Sequence, residues 1–134
     1  ENYHYVICGI GSLKEKYMQL ANELKVSERL HLLGYRSDVI KIMKSCDIFV
    51  FPSKREGLSV ALMEAIACNL PCLASNIRGN NDLLNPNQLI DFNNIGSWIQ
   101  HILNANMKTS YRVKIESICV SAINEKMKLI YKLH

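Results

Sequence analysis

The fold is decided by the stretch DIFVFPSKREGLSVALMEAIACNLPCLAS, which runs from Asp47 to Ser75. Two short apolar runs rich in β-branched and aromatic residues flank a longer apolar segment in which Glu64 is the one charge. Short apolar runs indicate buried strands, whereas the longer segment between them has the length of a helix. The stretch therefore predicts a strand, a helix and a strand over residues 47–52, 58–70 and 71–75.

The helix in this stretch also has a predicted end. Asn69 stands where a helix C-terminus favours a residue that tolerates left-handed backbone geometry. Pro71 then prevents the helix from continuing, because proline has no backbone N–H to donate. The helix is therefore expected to end at Asn69–Leu70.

Strands and helices alternate on both sides of this stretch. Apolar spacing predicts further strands at 4–9, 29–34 and 88–91, and further helices at 12–26, 37–45, 78–84, 95–105 and 111–133. Each crossover between parallel strands must place a helix on the sheet. The pattern thus predicts an α/β fold with a parallel sheet covered on both faces, a Rossmann-like three-layer sandwich.

Length and composition narrow the class of protein. The chain has 134 residues, of which 49% are hydrophobic and 21% are charged. These values favour one globular domain and exclude a disordered or low-complexity protein. No uncharged run reaches the ~20 residues of a membrane-spanning helix. The net charge is +4, but the basic residues are scattered, which argues against a nucleic acid partner.

Cysteine and histidine residues do not form a recognisable metal motif. The five cysteines are an odd number in mostly apolar segments, which predicts buried free thiols in a reducing compartment. Cys68 and Cys72 do not have zinc-finger spacing, and the four histidines are isolated in the sequence. The sequence therefore predicts no metal site.

The turn Gly9-Ile-Gly11-Ser12 joins the first predicted strand to its helix. Free backbone N–H groups at such a turn can hold an anion. However, Lys14 stands where a dinucleotide-binding motif needs glycine, and the ending of a P-loop is missing. An anion site and a tight turn without a ligand both remain open.

A more specific feature is the loop Ser53–Gly57, which leads directly into the predicted helix at Leu58. The first free N–H groups of that helix are expected at Leu58, Ser59 and Val60. Backbone donors and the positive end of a helix together suit a phosphate or diphosphate. Glu56 can also be explained without a ligand, because the helix dipole stabilises an acidic residue at this position.

Glu64 is the one charge in a helix that is apolar all round and is therefore expected to be buried. A buried carboxylate is costly without hydrogen-bond donors, and the vicinal diol of a ribose would supply two. Two alternatives remain: Glu64 forms a buried ion pair with Lys or Arg, or its side chain is exposed although the apolar pattern predicts burial.

These residues resemble the signature of a known enzyme family. Glu56 and Glu64 are separated by seven residues, Pro52-Ser53 precedes them, and Ala65-x-Ala67-Cys68-x-Leu70-Pro71 follows. This pattern resembles the large retaining glycosyltransferase family 4, which has the GT-B fold, and bacterial capsule and exopolysaccharide transferases are the most similar. The resemblance covers residues 4–92.

The resemblance implies a donor site for a nucleoside diphosphate sugar. Glu56 is the implied catalytic residue and contacts hydroxyls of the donor sugar, while Glu64 takes the ribose hydroxyls. The backbone N–H groups of the residues after Glu56, namely Gly57, Leu58 and Ser59, bind the diphosphate. The segment at the end of the second strand, Gly34 and Tyr35, borders the base. No metal or other cofactor is implied.

The implied function is retaining transfer of a hexose to a polysaccharide or lipid-linked acceptor. A non-catalytic nucleotide-sugar-binding module and a nucleotide-sugar epimerase of similar fold are the alternatives. Residues 1–134 are expected to be the donor-binding domain, the C-terminal half of a GT-B fold truncated at its N-terminal side and inactive alone. The helix within 107–134 is expected to pack toward the missing N-terminal domain. The resemblance implies a cytoplasmic location with loose, peripheral attachment to the inner membrane.

Overall fold

A computed structural model describes residues 3–105. The chain divides into two compact units, with the boundary between Val39 and Ile40. Two features predicted from the sequence, the final helix at 111–133 and Cys119, lie outside the described residues.

The first unit consists of two parallel strands and one helix: β1 (Tyr5–Cys8), α1 (Lys14–Glu23) and β2 (Leu30–Gly34). The pairing of β1 with β2 shifts after Ile7, so that Cys8 lies opposite Gly34. The N–H of Gly9 then donates to the carbonyl of Gly34 at 2.7 Å, with φ values of +139° and +67° at the two residues. Both values favour glycine. Because strand pairing uses the Gly9 N–H, this donor is not available to an anion at the turn.

The second unit contains a three-stranded parallel sheet in the order β3–β4–β5. Apart from Val39, the first residue of α2, it contains α2 (Val39–Lys44), β3 (Phe49–Phe51), α3 (Val60–Ala67), β4 (Cys72–Ser75), α4 (Arg78–Asn81), β5 (Leu89–Ile90) and α5 (Ile95–Ala105). Asn69 has a φ of +57°, which confirms its predicted left-handed role after α3. The predicted alternation of strands and helices and the parallel pairing are confirmed over residues 3–105.

The core of the second unit lies around the central strand β4, all four of whose residues are buried. A buried cluster of Leu73, Ile90, Trp98 and Ala105 is extended by three half-buried residues, Ile48, Val50 and Ile102. The fully buried Gln88 donates from its side-chain amide to the carbonyl of Cys72 at 2.9 Å. This bond ties the turn before β5 to the start of β4 and satisfies a backbone acceptor that cannot reach water.

The prediction that the cysteines are buried is wrong for three of the four in the described part of the chain. None of these four cysteines forms a disulfide within residues 3–105, but only Cys72 is buried, whereas Cys8, Cys46 and Cys68 are half-buried. These three stand at the end of β1, just after α2 and just after α3. Cys8 lies on a strand without any buried residue, and Cys46 and Cys68 follow the ends of their helices, so apolar neighbours in the sequence do not guarantee burial.

Burial raises the pKa of the Cys72 thiol from 9.0 to about 12, and the neighbouring Cys68 adds to the shift. A raised pKa in the folded state stabilises the fold fully below the unfolded value of 9.0, and the contribution is lost as the pH rises toward 12. Between pH 9 and pH 10 we therefore expect the free energy of unfolding to fall by at most about 1.4 kcal/mol from this group. Urea titrations of the wild type and Cys72→Ala at both pH values measure it. An equally steep fall in the variant would contradict the assignment, since the tyrosines titrate in both proteins.

Within residues 3–105, no helix combines the length and the apolar character that crossing a bilayer requires.

Candidate functional site

The loop before α3 is organised around Ser53 and Glu56. The Ser53 hydroxyl shares its proton between the carboxylate of Glu56, at 2.9 Å, and the carbonyl of Arg55, at 3.2 Å. Glu56 is exposed, and Ser53 is the donor that orients it. Next to Ser53, the ammonium of Lys54 lies 5.0 Å from the centre of the Phe92 ring, within cation–π range. The loop thus presents an oriented carboxylate to solvent, while its lysine is held against the Phe92 ring.

The helix α3 begins at Val60, two residues later than predicted, because Ser59 caps it. Ser59 is 4% exposed, and its hydroxyl accepts from the N–H of Leu62 at 3.3 Å. The first intrahelical bond runs from the N–H of Met63 to the carbonyl of Ser59. The N–H groups of Val60 and Ala61 therefore have no acceptor within the helix. The sequence predicted Leu58, Ser59 and Val60 as the free donors of the helix. Leu58 and Ser59 precede the helix, so its free donors are Val60 and Ala61 instead.

The expectation that α3 is buried on all sides is wrong. One face is buried, at Leu62, Ala65 and Ile66, a spacing of three and four residues. The opposite face is open: Val60 is 62% exposed and Glu64, one turn further, is half-buried. Among residues 3–105, Glu64 makes no ion pair. Its carboxylate is therefore partly accessible on the same side of the helix as Val60, and the buried ion pair that the sequence left open is not found in this part of the chain.

The structure brings five of the predicted site residues together in one loop and helix of the second unit: Glu56, Gly57, Leu58, Ser59 and Glu64. The other two, Gly34 and Tyr35, belong to the first unit, where Tyr35 is 78% exposed. Beside them, Arg36 forms a two-pronged ion pair with Asp38 at 2.7 and 2.8 Å. This hydrogen-bonded guanidinium lowers the pKa of the Asp38 carboxyl.

Two of the histidines that look isolated in the sequence are neighbours in the structure. Nδ1 of His4 lies 2.9 Å from Nε2 of His31, and the two rings are stacked with their centres 5.2 Å apart. In a hydrogen bond between two imidazole nitrogens, one ring donates and the other accepts. Over residues 3–105, no group of three or more His, Cys, Asp or Glu side chains is placed to hold a metal ion.

Two structural roles in this region were missed from the sequence. The capping role of Ser59 has a local signal, since serine just before an apolar helical segment favours the N-cap position. The packing of Gly79 against the loop has no such signal, because Gly79 lies 22 positions from Gly57 and 23 from Glu56 along the chain.

Comparison with known proteins identifies the family. The family described as "Glycosyl transferases group 1" matches residues 1–117. A UDP-Gal:alpha-D-GlcNAc-diphosphoundecaprenol alpha-1,3-galactosyltransferase of Escherichia coli is 40% identical, over 74% of this chain and 27% of its own length. A diacetylbacillosaminyl-diphospho-undecaprenol alpha-1,3-N-acetylgalactosaminyltransferase of Campylobacter jejuni is 37% identical, over 52% of this chain and 19% of its own length. The chain thus spans about a quarter or less of the length of these relatives.

Solved structures of two other proteins share the fold. A mutant of Staphylococcus aureus TarM in complex with UDP and sugar ligands superposes with a TM-score of 0.77 at 25% identity, over 92% of this chain and 26% of its own. HepE of Anabaena in complex with UDP gives a TM-score of 0.73 at 19% identity, over 98% of this chain and 40% of its own. The family match over most of the sequence and the shared α/β fold lead to one conclusion: the chain belongs to the group 1 glycosyl transferases.

Proposed function

We propose that this chain is the donor-binding part of a retaining glycosyltransferase. The enzyme transfers a hexose from a nucleoside diphosphate sugar to a polysaccharide or a lipid-linked saccharide. The observation that carries the proposal is the loop Ser53–Ser59, where an oriented carboxylate is followed within five residues by the helical N–H groups of Val60 and Ala61, which have no acceptor within α3. A donor sugar needs acceptors for its hydroxyls, and its diphosphate needs donors for its charge.

In this proposal each residue of the loop and helix has a role. Glu56 accepts hydrogen bonds from hydroxyls of the donor sugar, and its carboxylate is already oriented by Ser53. The N–H groups of Gly57, Leu58 and Ser59 bind the diphosphate, assisted by the positive end of α3. Such donors stabilise the charge that develops on the leaving diphosphate without a required metal. Glu64 accepts from the two ribose hydroxyls, and Gly34 and Tyr35 border the base.

The relatives support a lipid-linked acceptor. The names of the E. coli and C. jejuni relatives both specify a saccharide on an undecaprenyl diphosphate. An acceptor of this kind is anchored in the membrane, so the proposal includes a cytoplasmic enzyme that acts at the inner membrane surface. It also includes an acceptor-binding N-terminal domain, because the relatives are about four to five times as long as the segment that this chain matches.

The test uses the full-length protein with labelled UDP-, GDP- and ADP-hexoses, with and without a polyprenyl-diphosphate-linked saccharide. We expect transfer of label that depends on both the donor and the acceptor. We also expect Glu56→Gln to reduce kcat/KM roughly 10- to 150-fold, the loss of one or more hydrogen bonds to a charged group. The control is Glu15→Gln, which neutralises an exposed carboxylate on α1 and should leave kcat/KM unchanged.

Other outcomes would identify the alternative functions. Conversion of one nucleotide sugar to another without any acceptor would indicate an epimerase. Donor binding without any turnover would indicate a binding module that has the fold but not the chemistry. Unchanged transfer by Glu56→Gln would remove Glu56 from the catalytic site while leaving the transferase assignment in place.

A further inference from the structure

The first turn of α4 packs directly against the backbone of the loop before α3. Gly79 is buried, and a Cβ built on it would overlap the carbonyl oxygen of Gly57. The same Cβ would lie 2.8 Å from the carbonyl carbon of Gly57 and 2.9 Å from the carbonyl oxygen of Glu56. All of these atoms belong to the backbone, so rotation of a side chain cannot relieve the overlap. Gly79 has no positive φ, so glycine is required here for space and not for conformation.

This contact orients the peptide groups of the loop. At Gly57 the carbonyl oxygen lies nearer to the Cβ position than the carbonyl carbon does, so the C=O bond points toward Gly79. The carbonyl oxygen of Glu56 lies close to the same point. In a trans peptide the N–H points opposite to the C=O. The N–H groups that follow these carbonyls, those of Gly57 and Leu58, are therefore turned away from α4.

The position of α4 is itself fixed by the core. Asn80, which is fully buried, donates from its side-chain amide to the carbonyl of Ser75 at 2.9 Å. Ser75 is the last residue of β4, the buried central strand of the sheet. A continuous set of contacts thus runs from β4 through Asn80 and Gly79 to the peptide groups of Glu56 and Gly57.

We infer that Gly79 is a positioning residue for the diphosphate of the donor: its missing side chain lets α4 hold the Glu56 and Gly57 carbonyls on one side, so that the N–H groups of Gly57 and Leu58 face the ligand on the other. The inference rests on the proposed function and adds to it a residue that touches no substrate. It also explains why two peptide groups of an exposed loop can bind an anion, since their orientation is set before the ligand arrives.

The test compares Gly79→Ala with Gly96→Ala in the full-length protein. Gly96 lies in the first turn of α5, where the nearest atom to an added Cβ is 3.7 Å away, an ordinary contact. The best-bound member of the set UDP, GDP and ADP and its parent nucleoside are titrated into each variant. We expect Gly79→Ala to weaken binding of the diphosphate about 10-fold or more, the loss of at least one hydrogen bond to a charged group, and to leave nucleoside affinity within about 2-fold. Gly96→Ala should match the wild type for both ligands.

The ratio of the two affinities separates positioning from general damage to the fold. Partial unfolding lowers both affinities by the same factor, so an unchanged ratio in folded Gly79→Ala overturns the inference. Should Gly79→Ala fail to fold, Asn80→Ala loosens α4 without adding a Cβ and should shift the ratio in the same direction; an unchanged ratio there also overturns the inference. Wild-type protein that binds none of the three diphosphates overturns the proposed function itself.

Discussion

Replacing Glu64 with glutamine in the full-length protein is expected to lower its affinity for the nucleotide donor roughly 10- to 150-fold. Glutamine keeps the shape of the side chain but removes the charge that strengthens hydrogen bonds from two ribose hydroxyls. Hydrogen bonds to a charged group contribute about 1.5–3 kcal/mol, which corresponds to this range of affinity. Isothermal titration with the best-bound nucleoside diphosphate measures the change.

The stability of the same variant distinguishes a ligand contact from a structural one. Glu64 is half-buried and makes no ion pair among residues 3–105, so its neutralisation should change the free energy of unfolding by less than about 0.5 kcal/mol. Glu15→Gln, on the exposed surface of α1, is the control for both measurements. A destabilised Glu64→Gln with unaltered donor affinity would show that the carboxylate serves the fold and not the site.

Much of the fold follows from local sequence patterns. The order of strands and helices over residues 3–105 matches the predicted order. Short β-branched runs indicate buried strands, and apolar residues at helical spacing indicate helices that pack on a sheet. The left-handed residue after α3 was equally predictable, because asparagine tolerates a positive φ and Pro71 cannot continue a helix, but α3 itself ends at Ala67, two to three residues before the predicted end at Asn69–Leu70. Both kinds of pattern depend on residues that are close together in the chain, so a single sequence is enough to predict them.

The arrangement of the candidate site is less predictable for the opposite reason. Seven of the eight residues of α3 are apolar, so composition does not show that Leu62 and Ile66 face the core while Val60 faces outward. The contact of Gly79 with the Glu56 and Gly57 carbonyls depends on how α4, which follows β4, meets the loop that follows β3. Neither property is encoded in the spacing of residue types along the chain, and both decide what the site can present to a ligand.

The core beneath this site depends on one large side chain. Trp98 is 8% exposed and belongs to the buried cluster of Leu73, Ile90 and Ala105, which joins α5 to the central and edge strands of the sheet. Its indole N–H donates to the carbonyl of Asp91 at 3.1 Å. The same side chain therefore supplies apolar contact to the cluster and satisfies a backbone acceptor just after β5.

Trp98→Ala is expected to lower the free energy of unfolding of the second unit by about 3–5 kcal/mol, because it removes the largest side chain of the cluster and leaves a cavity. Trp98→Phe keeps an aromatic ring in the core but loses the hydrogen bond to Asp91, so its cost should be smaller, on the order of 1–3 kcal/mol. Urea unfolding followed by circular dichroism measures both variants. Equal costs for the two would assign the stabilisation to the indole hydrogen bond, whereas a loss below about 1 kcal/mol in Trp98→Ala would mean that α5 does not depend on this cluster. Because β4 lies in the same cluster and carries Asn80 through the Ser75 carbonyl, the alanine variant should also loosen the support of α4 and with it the loop at Glu56.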